Sequence, residues 1–168
     1  MRHIYLDYNA TTPVHPEVLE VFLAFYRQQF GNPSSIHWAG RRVKGAVEKA
    51  REKVALLVNC EPVEVVFTSC GTEADNMALK GVAAALRDRG NHIITTRAEH
   101  PAVVNSCLAL EKQGYEITWL AVDHDGMPDL AELEAAITAR TILISVMFAN
   151  HETGVLLPVQ EVGAIAVR

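Results

Sequence analysis

Cysteine is scarce: Cys60, Cys70 and Cys107 are the only three in 168 residues. An odd number with wide gaps builds neither a disulfide framework nor a zinc knuckle, and it points to a reducing compartment. No metal site is expected. Long hydrophobic runs are missing too. The longest apolar stretches fall well short of the roughly 18 residues that a membrane helix needs, so no membrane partner is expected. The first residues show no charged segment followed by an apolar one, so no secretory signal is read there and a cytoplasmic protein is expected. Basic excess is absent: 15 Lys and Arg against 20 Asp and Glu leave a net charge of −5. That balance argues against nucleic acid as a partner, because phosphate backbones demand a basic face. The densest basic run, Arg41-Arg42-Val43-Lys44, reads as the solvated side of a helix. Internal repeats and low-complexity tracts are absent. What is left, 49% hydrophobic and 21% charged residues, suits a soluble globular domain with a substantial core.

Periodicity divides the chain into elements. Helical spacing of Val18, Val21, Phe22 and Phe25 predicts a helix over 16–28, entered through Pro16. A turn-rich stretch, Gly31-Asn32-Pro33-Ser34-Ser35, follows. A long helix is predicted over 40–58, with Val43, Ala46, Val47, Ala50, Val54 and Leu57 as one apolar stripe. Beyond it strands and helices alternate. Strands are predicted over 2–7, 64–68, 92–96, 115–122 and 141–149. Helices are predicted over 72–87, 101–113 and 129–139, the last with Asp129 and Glu132 spaced as in a capping box. A final helix starts at Pro158 and is expected to run to Arg168. Helical crossovers of this length favour an α/β fold, a mainly parallel sheet flanked by helices. Ligands of such sheets bind at the carboxyl ends of the strands, so chemistry is sought in the strand-to-helix turns.

Three turns qualify. In Thr68-Ser69-Cys70-Gly71-Thr72-Glu73, the amides of residues 71–73 and the Thr72 hydroxyl would face out of a helix start, where a phosphate is held by N–H groups and the helix dipole. The competing explanation is a Thr cap with a glycine chosen for the turn, and spacing alone favours it. In Arg97-Ala98-Glu99-His100-Pro101, His100 precedes a Pro-initiated helix. A flat, neutral imidazole there can stack on a planar ring and relay protons, although a lone loop histidine is more often simply a surface residue. In Ala149-Asn150-His151-Glu152-Thr153-Gly154, polar residues follow a hydrophobic strand and must be either satisfied or useful. Together the turns offer a phosphate cradle, a stacking group and hydrogen-bond donors, a set that fits a phosphorylated aromatic cofactor. A nucleotide-binding domain is weakened by the absence of both a P-loop and Gly-x-Gly-x-x-Gly.

Several motifs then carry a family resemblance over essentially the whole chain: Tyr5-Leu6-Asp7-Tyr8-Asn9-Ala10-Thr11-Thr12-Pro13, Phe30-Gly31-Asn32-Pro33-Ser34-Ser35-x-His37, Phe67-Thr68-Ser69-Cys70-Gly71-Thr72-Glu73-Ala74-Asp75-Asn76 and Glu99-His100-Pro101-Ala102-Val103. In this order and spacing the chain resembles the N-terminal half of cysteine desulfurases, pyridoxal-phosphate (PLP) enzymes of the class V aminotransferase group. Cys70-Gly71-Thr72 is most similar to the nitrogen-fixation-type branch. The resemblance implies fold type I of the PLP-dependent transferases, with residues 1–40 as an N-terminal arm, helix and substrate-side loop. Residues 41–168 would be the N-terminal part of the PLP-binding large domain, truncated before the Schiff-base lysine.

It further implies that Gly71 and Thr72 bind the cofactor phosphate and that His100 stacks on the ring and acts catalytically. Asn150 and His151 stand where the family usually has two asparagines, the second of which contacts the cofactor; an imidazole can also donate there. Asn9, Ala10, Thr11 and Asn32 would line the substrate side. The implied parent enzyme removes sulfur from L-cysteine, giving L-alanine and a protein persulfide for iron–sulfur cluster assembly or other sulfur delivery. A homodimer, a sulfur-acceptor protein and a missing C-terminal half are its implied partners. Lys44, Lys49, Lys53, Lys80 and Lys112 fit helix faces rather than the family's lysine motif, and none of the three cysteines matches the persulfide carrier. This chain by itself is therefore expected to be inactive. Other readings are another class V enzyme, such as a selenocysteine lyase or a small aminotransferase, and a non-catalytic binding or assembly module.

Overall fold

The computed structural model describes residues 3–167. They fall into two compact units, divided between Phe67 and Thr68. The division by role at residues 40 and 41 thus falls inside a continuous helix, Trp38–Val58.

In the first unit, α1 spans Pro16–Gln28 and α2 spans Trp38–Val58. His15 and Pro16 open α1 as expected from a proline at the first helical position. His37 caps α2, its Nδ1 accepting from the Gly40 amide at 3.4 Å. The joining loop is tight: a Cβ on Gly40 would meet the Ser35 carbonyl at 2.3 Å, and one on Gly31 the Ala39 carbonyl at 2.3 Å. The predicted apolar stripe of α2 is covered at Val43 and half-covered at Ala46 and Val47, but Ala50, Val54 and Leu57 are exposed. The apolar face of α1 is likewise open, Val21 being 70% exposed.

Two predicted strands do not form. Residues 3–7 are irregular, with Tyr5 donating its hydroxyl to the Asp7 and Thr11 carbonyls; Arg2 lies outside the described residues. Residues 62–64 form a 3₁₀ turn, and the extended residues that follow join no ladder. A strand exists only through its neighbour's hydrogen bonds. Here the Val65 carbonyl is taken by the Arg51 guanidinium, which also lies 5.1 Å over the Phe67 ring.

The second unit is an α/β layer structure. Its helices are α3 (Gly71–Ala85), α4 (Pro101–Glu111), α5 (Leu130–Ala136) and α6 (Val159–Ala166); its strands are β1 (His92–Thr96), β2 (Glu116–Leu120) and β3 (Thr141–Ser145). The sheet order is β2-β1-β3, and β1 is parallel to both neighbours. Every residue of β1 is buried, as a central parallel strand covered on both faces should be. Successive residues serve opposite layers. Ile93 packs with Leu79 and Ala83 of α3 and Val103 and Cys107 of α4. Ile94 packs with Leu120, Leu133 of α5 and Val162 of α6.

Elements end earlier than periodicity predicts. Helix α5 stops at Ala136 because Ile137 turns extended and Thr138 and Thr141 bond the next loop: the Thr138 amide donates to Thr141 Oγ1 at 2.8 Å. Asp129 caps α5 through the Ala131 amide at 2.8 Å. Strand β3 ends at Ser145 rather than Ala149, where the chain leaves the ladder toward Glu99. Helix α6 begins after Pro158 and ends at Ala166; Arg168 lies outside the described residues.

At the opposite end of the sheet, His92 bridges all three strands. It is 2% exposed, and its ring nitrogens lie 2.7 Å from Thr141 Oγ1 and 2.8 Å from Thr118 Oγ1. Among the described residues no helix is long and apolar enough to cross a membrane.

Candidate functional site

The N-terminus of α3 faces a cleft of about 320 Å³, lined by Cys70, Gly71, Thr72, Asp75 and His100. Two of the three turns singled out in the sequence thus meet at one opening. The size lies at the lower end of that of small-molecule sites, roughly 300–1,000 Å³.

Gly71 is informative because nothing nearby requires it. A Cβ there would find no atom within 4 Å, and Gly71 is not among the glycines with positive φ, which are Gly114, Gly126 and Gly154. Neither positive φ nor close packing explains the glycine, which lines the cleft with open space where a methyl would stand.

The local field favours an anion. The Glu73 amide, then the Ser69 hydroxyl and the Thr72 amide, hold the Cys70 thiol below its ordinary pKa, against a smaller opposing push from burial and the Glu73 carboxylate. The helix start that favours a thiolate would favour a phosphate in the same way. Glu73 itself turns back, accepting from the Ser69 amide and hydroxyl, both at 2.6 Å, and these bonds lower its pKa.

His100 is the N-cap of α4. Its Nδ1 accepts from the Ala102 amide at 3.1 Å. A nitrogen that accepts cannot carry a proton, so in the neutral ring the proton sits on Nε2. The His151 ring meets His100 edge-on, with centroids 5.2 Å apart. His151 is also 3.6 Å from the Glu152 carboxylate.

Asn150 is largely occupied within its own turn. Its Oδ1 accepts from the Glu152 amide at 2.9 Å and the Thr153 amide at 3.0 Å, and its Nδ2 donates to the Ala98 carbonyl at 3.4 Å. This ties the turn after β3 to the turn after β1. Asn9, Ala10, Thr11 and Asn32 belong to the first unit. The amides of Ala10 and Thr11 donate to the Asp7 carbonyl, and Asn32 Oδ1 accepts from the Ser34 amide at 2.8 Å.

Two acidic residues beside the cleft received no role from the sequence. Asp75 lines it from α3. Glu99 is 9% exposed, and its Oε1 accepts from the Met147 amide at 2.6 Å. Burial raises the Glu99 pKa, with the Asp75 charge adding to the rise, while the Met147 and His100 amides and the His151 ring oppose it. The sequence offered one signal, a charged residue between a buried strand and a Pro-initiated helix, but did not show which backbone amide it would meet.

The family described as Aminotransferase class-V matches residues 4–168. A cysteine desulfurase IscS of Dictyoglomus turgidum is 52% identical over 98% of this chain, which covers 42% of that protein. Cysteine desulfurase 2 of Trichormus variabilis is also 52% identical, over 97% of this chain and 41% of its own length. Among solved structures, a NIFS-like protein superposes with a TM-score of 0.93 at 43% identity, over 98% of this chain and 45% of that one. The chain therefore spans about two fifths of the length of the curated relatives it matches, 42% for the Dictyoglomus protein.

Proposed function

The chain belongs to the class V aminotransferase family, and on that premise we propose that it forms the phosphate-holding and ring-facing part of a PLP-dependent cysteine desulfurase. The observation that carries this is the single cleft bordered by Gly71, Thr72 and His100. Its chemistry fits the group: an open glycine at a helix start, amides that pull a thiol toward its anion, and a flat imidazole on the same cleft. Bound there, PLP supplies an electron sink for a bond broken at a substrate's α-carbon.

The residues of this chain would then divide the work. Gly71 and Thr72 hold the phosphate by backbone and hydroxyl donors. The His100 ring lies against the cofactor ring, with Nδ1 fixed by the Ala102 amide and Nε2 left to donate or exchange a proton. His151 and Asn150 close the cofactor side. The whole enzyme would act in the cytoplasm as a homodimer, converting L-cysteine to L-alanine and passing sulfur through a protein persulfide to an acceptor for iron–sulfur or other sulfur chemistry. Groups that bond the cofactor and carry the sulfur would come from outside these residues.

The test uses Cys70 as a reporter. Iodoacetamide labelling, read residue by residue by mass spectrometry, should be slowed at Cys70 by PLP and more weakly by inorganic phosphate, with Cys60 unaffected. Unchanged Cys70 labelling at saturating PLP would refute the cofactor site. Alanine and sulfide formed from cysteine and PLP by this chain alone would refute the division of work.

A further inference from the structure

The structure holds two histidine-bearing turns together with one buried carboxylate, and we propose that Glu99 is the positioning residue that fixes His100 against His151. The inference rests on the reading of His100 as the ring-facing group, and it extends that reading to a residue with no assigned role.

The turns come from different strands. His100 follows β1 and caps α4, and His151 follows β3 in a turn closed by the antiparallel bridge of Ala149 and Leu156. Between them two bonds cross. The Met147 amide, just past the end of β3, donates to Glu99 Oε1 at 2.6 Å, and Asn150 Nδ2 donates to the Ala98 carbonyl at a longer 3.4 Å. Glu99 and His100 are adjacent in sequence, and His100 is pinned on its other side by the Ala102 amide. The carboxylate thus fixes the start of one turn relative to the other, and the edge-on contact of the two rings follows.

The bond is charge-assisted and short, the kind that holds geometry best. It also comes at a cost. Burial pushes the pKa of the Glu99 carboxyl up, against the Met147 and His100 amides. The charged or titratable groups around it are Asp75 from α3, Cys107 from α4, His100 beside it and His151 from the turn after β3. A carboxyl group whose pKa rises on folding adds stability below its unfolded value, and that contribution is lost as pH rises through the folded value. Glu99→Gln keeps an oxygen for Met147 and removes the charge. It should therefore lack the loss of stability with rising pH that the Glu99 carboxyl imposes.

The experiment compares the unaltered chain with Glu99→Gln, Glu99→Ala and Glu99→Asp. Imidazole ¹⁵N NMR reports the His100 tautomer, and cross-relaxation between the His100 and His151 rings reports their contact. In the chain itself the contact and an unprotonated Nδ1 are expected. Glu99→Ala should abolish the contact and weaken PLP protection of Cys70 roughly tenfold or more, and Glu99→Gln should restore both. Glu99→Asp withdraws the oxygen by one bond, about 1.5 Å; it should behave like Glu99→Ala and stands in for it should that variant fail to fold. Persistence of the ring contact in Glu99→Ala or Glu99→Asp would overturn the positioning role, as would its loss in Glu99→Gln. Failure of PLP to protect Cys70 in the unaltered chain would instead sink the cofactor site and leave the ring-contact test standing.

Discussion

Replacing Gly71 with Ala separates a cradle from a turn. If the glycine served the turn, a methyl would strain it. In the structure the added Cβ meets nothing within 4 Å, and Gly71 opens the 15-residue helix α3. Alanine outranks glycine in a helix interior by about 1 kcal/mol, and by less at the first position. The fold should therefore gain between nothing and about 1 kcal/mol, which for a chain of this size raises the melting temperature by no more than about 2–4 °C.

Anion binding should respond in the opposite direction. The methyl enters the cleft where a phosphate oxygen would approach the amides. Hydrogen bonds to a charged group contribute about 1.5–3 kcal/mol each, so losing one weakens binding roughly ten- to a hundredfold. Gly81 is the control: it also lies on α3 with nothing within 4 Å of its added Cβ, but it does not line the cleft. Gly81→Ala should stabilise by a similar or larger amount and leave binding alone. Circular dichroism melts give the first quantity, and Cys70 protection by PLP and by inorganic phosphate gives the second. A Gly71→Ala protein that melts well below the parent, or one that binds PLP as tightly as the parent, would refute the reasoning.

Other consequences follow from the same packing. Gly90→Ala brings a Cβ to 2.2 Å from the Arg140 carbonyl, backbone that cannot step aside; a loss of roughly 1–3 kcal/mol is expected in denaturant titration. Burial is the main cause holding the His92 pKa below 6.5, with Arg140 helping and Glu116 opposing, so the unfolded chain takes up the proton first. Its contribution is complete above that value and lost as pH falls below it. His92→Ala should cost roughly 1–3 kcal/mol at about pH 8, by leaving the Thr118 hydroxyl without its partner and Thr141 with only Thr138, and should flatten the acid limb of the stability curve. Cys70, with its lowered pKa, should alkylate well before Cys107, whose thiol burial pushes up to about 11 with help from Glu99 and Glu111. Equal labelling rates in the folded protein would contradict this.

Local rules in the sequence determined the helices and the buried strands. Pro16 and Pro101 open helices where a missing amide proton costs nothing, Asp129 caps where a carboxylate can reach an amide, and His92-Ile93-Ile94-Thr95-Thr96 is too uniformly β-forming to be anything but an inner strand. The same rules placed Gly71 and Thr72 at a helix start and His100 in a strand-to-helix turn. Tertiary structure decided everything that requires a partner distant in the chain. Residues 64–68 have the composition of a strand yet join no sheet, because among the described residues no neighbouring edge meets them. Only parallel pairing of β1 with both neighbours could bring the turn after β1 beside the turn after β3, and only then did Glu99 find the Met147 amide. Whether Gly71 was a backbone necessity or an open wall of a cleft was likewise undecidable from spacing, since it depends on which atoms lie within reach of a side chain that is not there. Helix caps and hydrophobic periods are written within a few residues; a cleft bordered by turns far apart in the chain exists only after the helices and the sheet have packed.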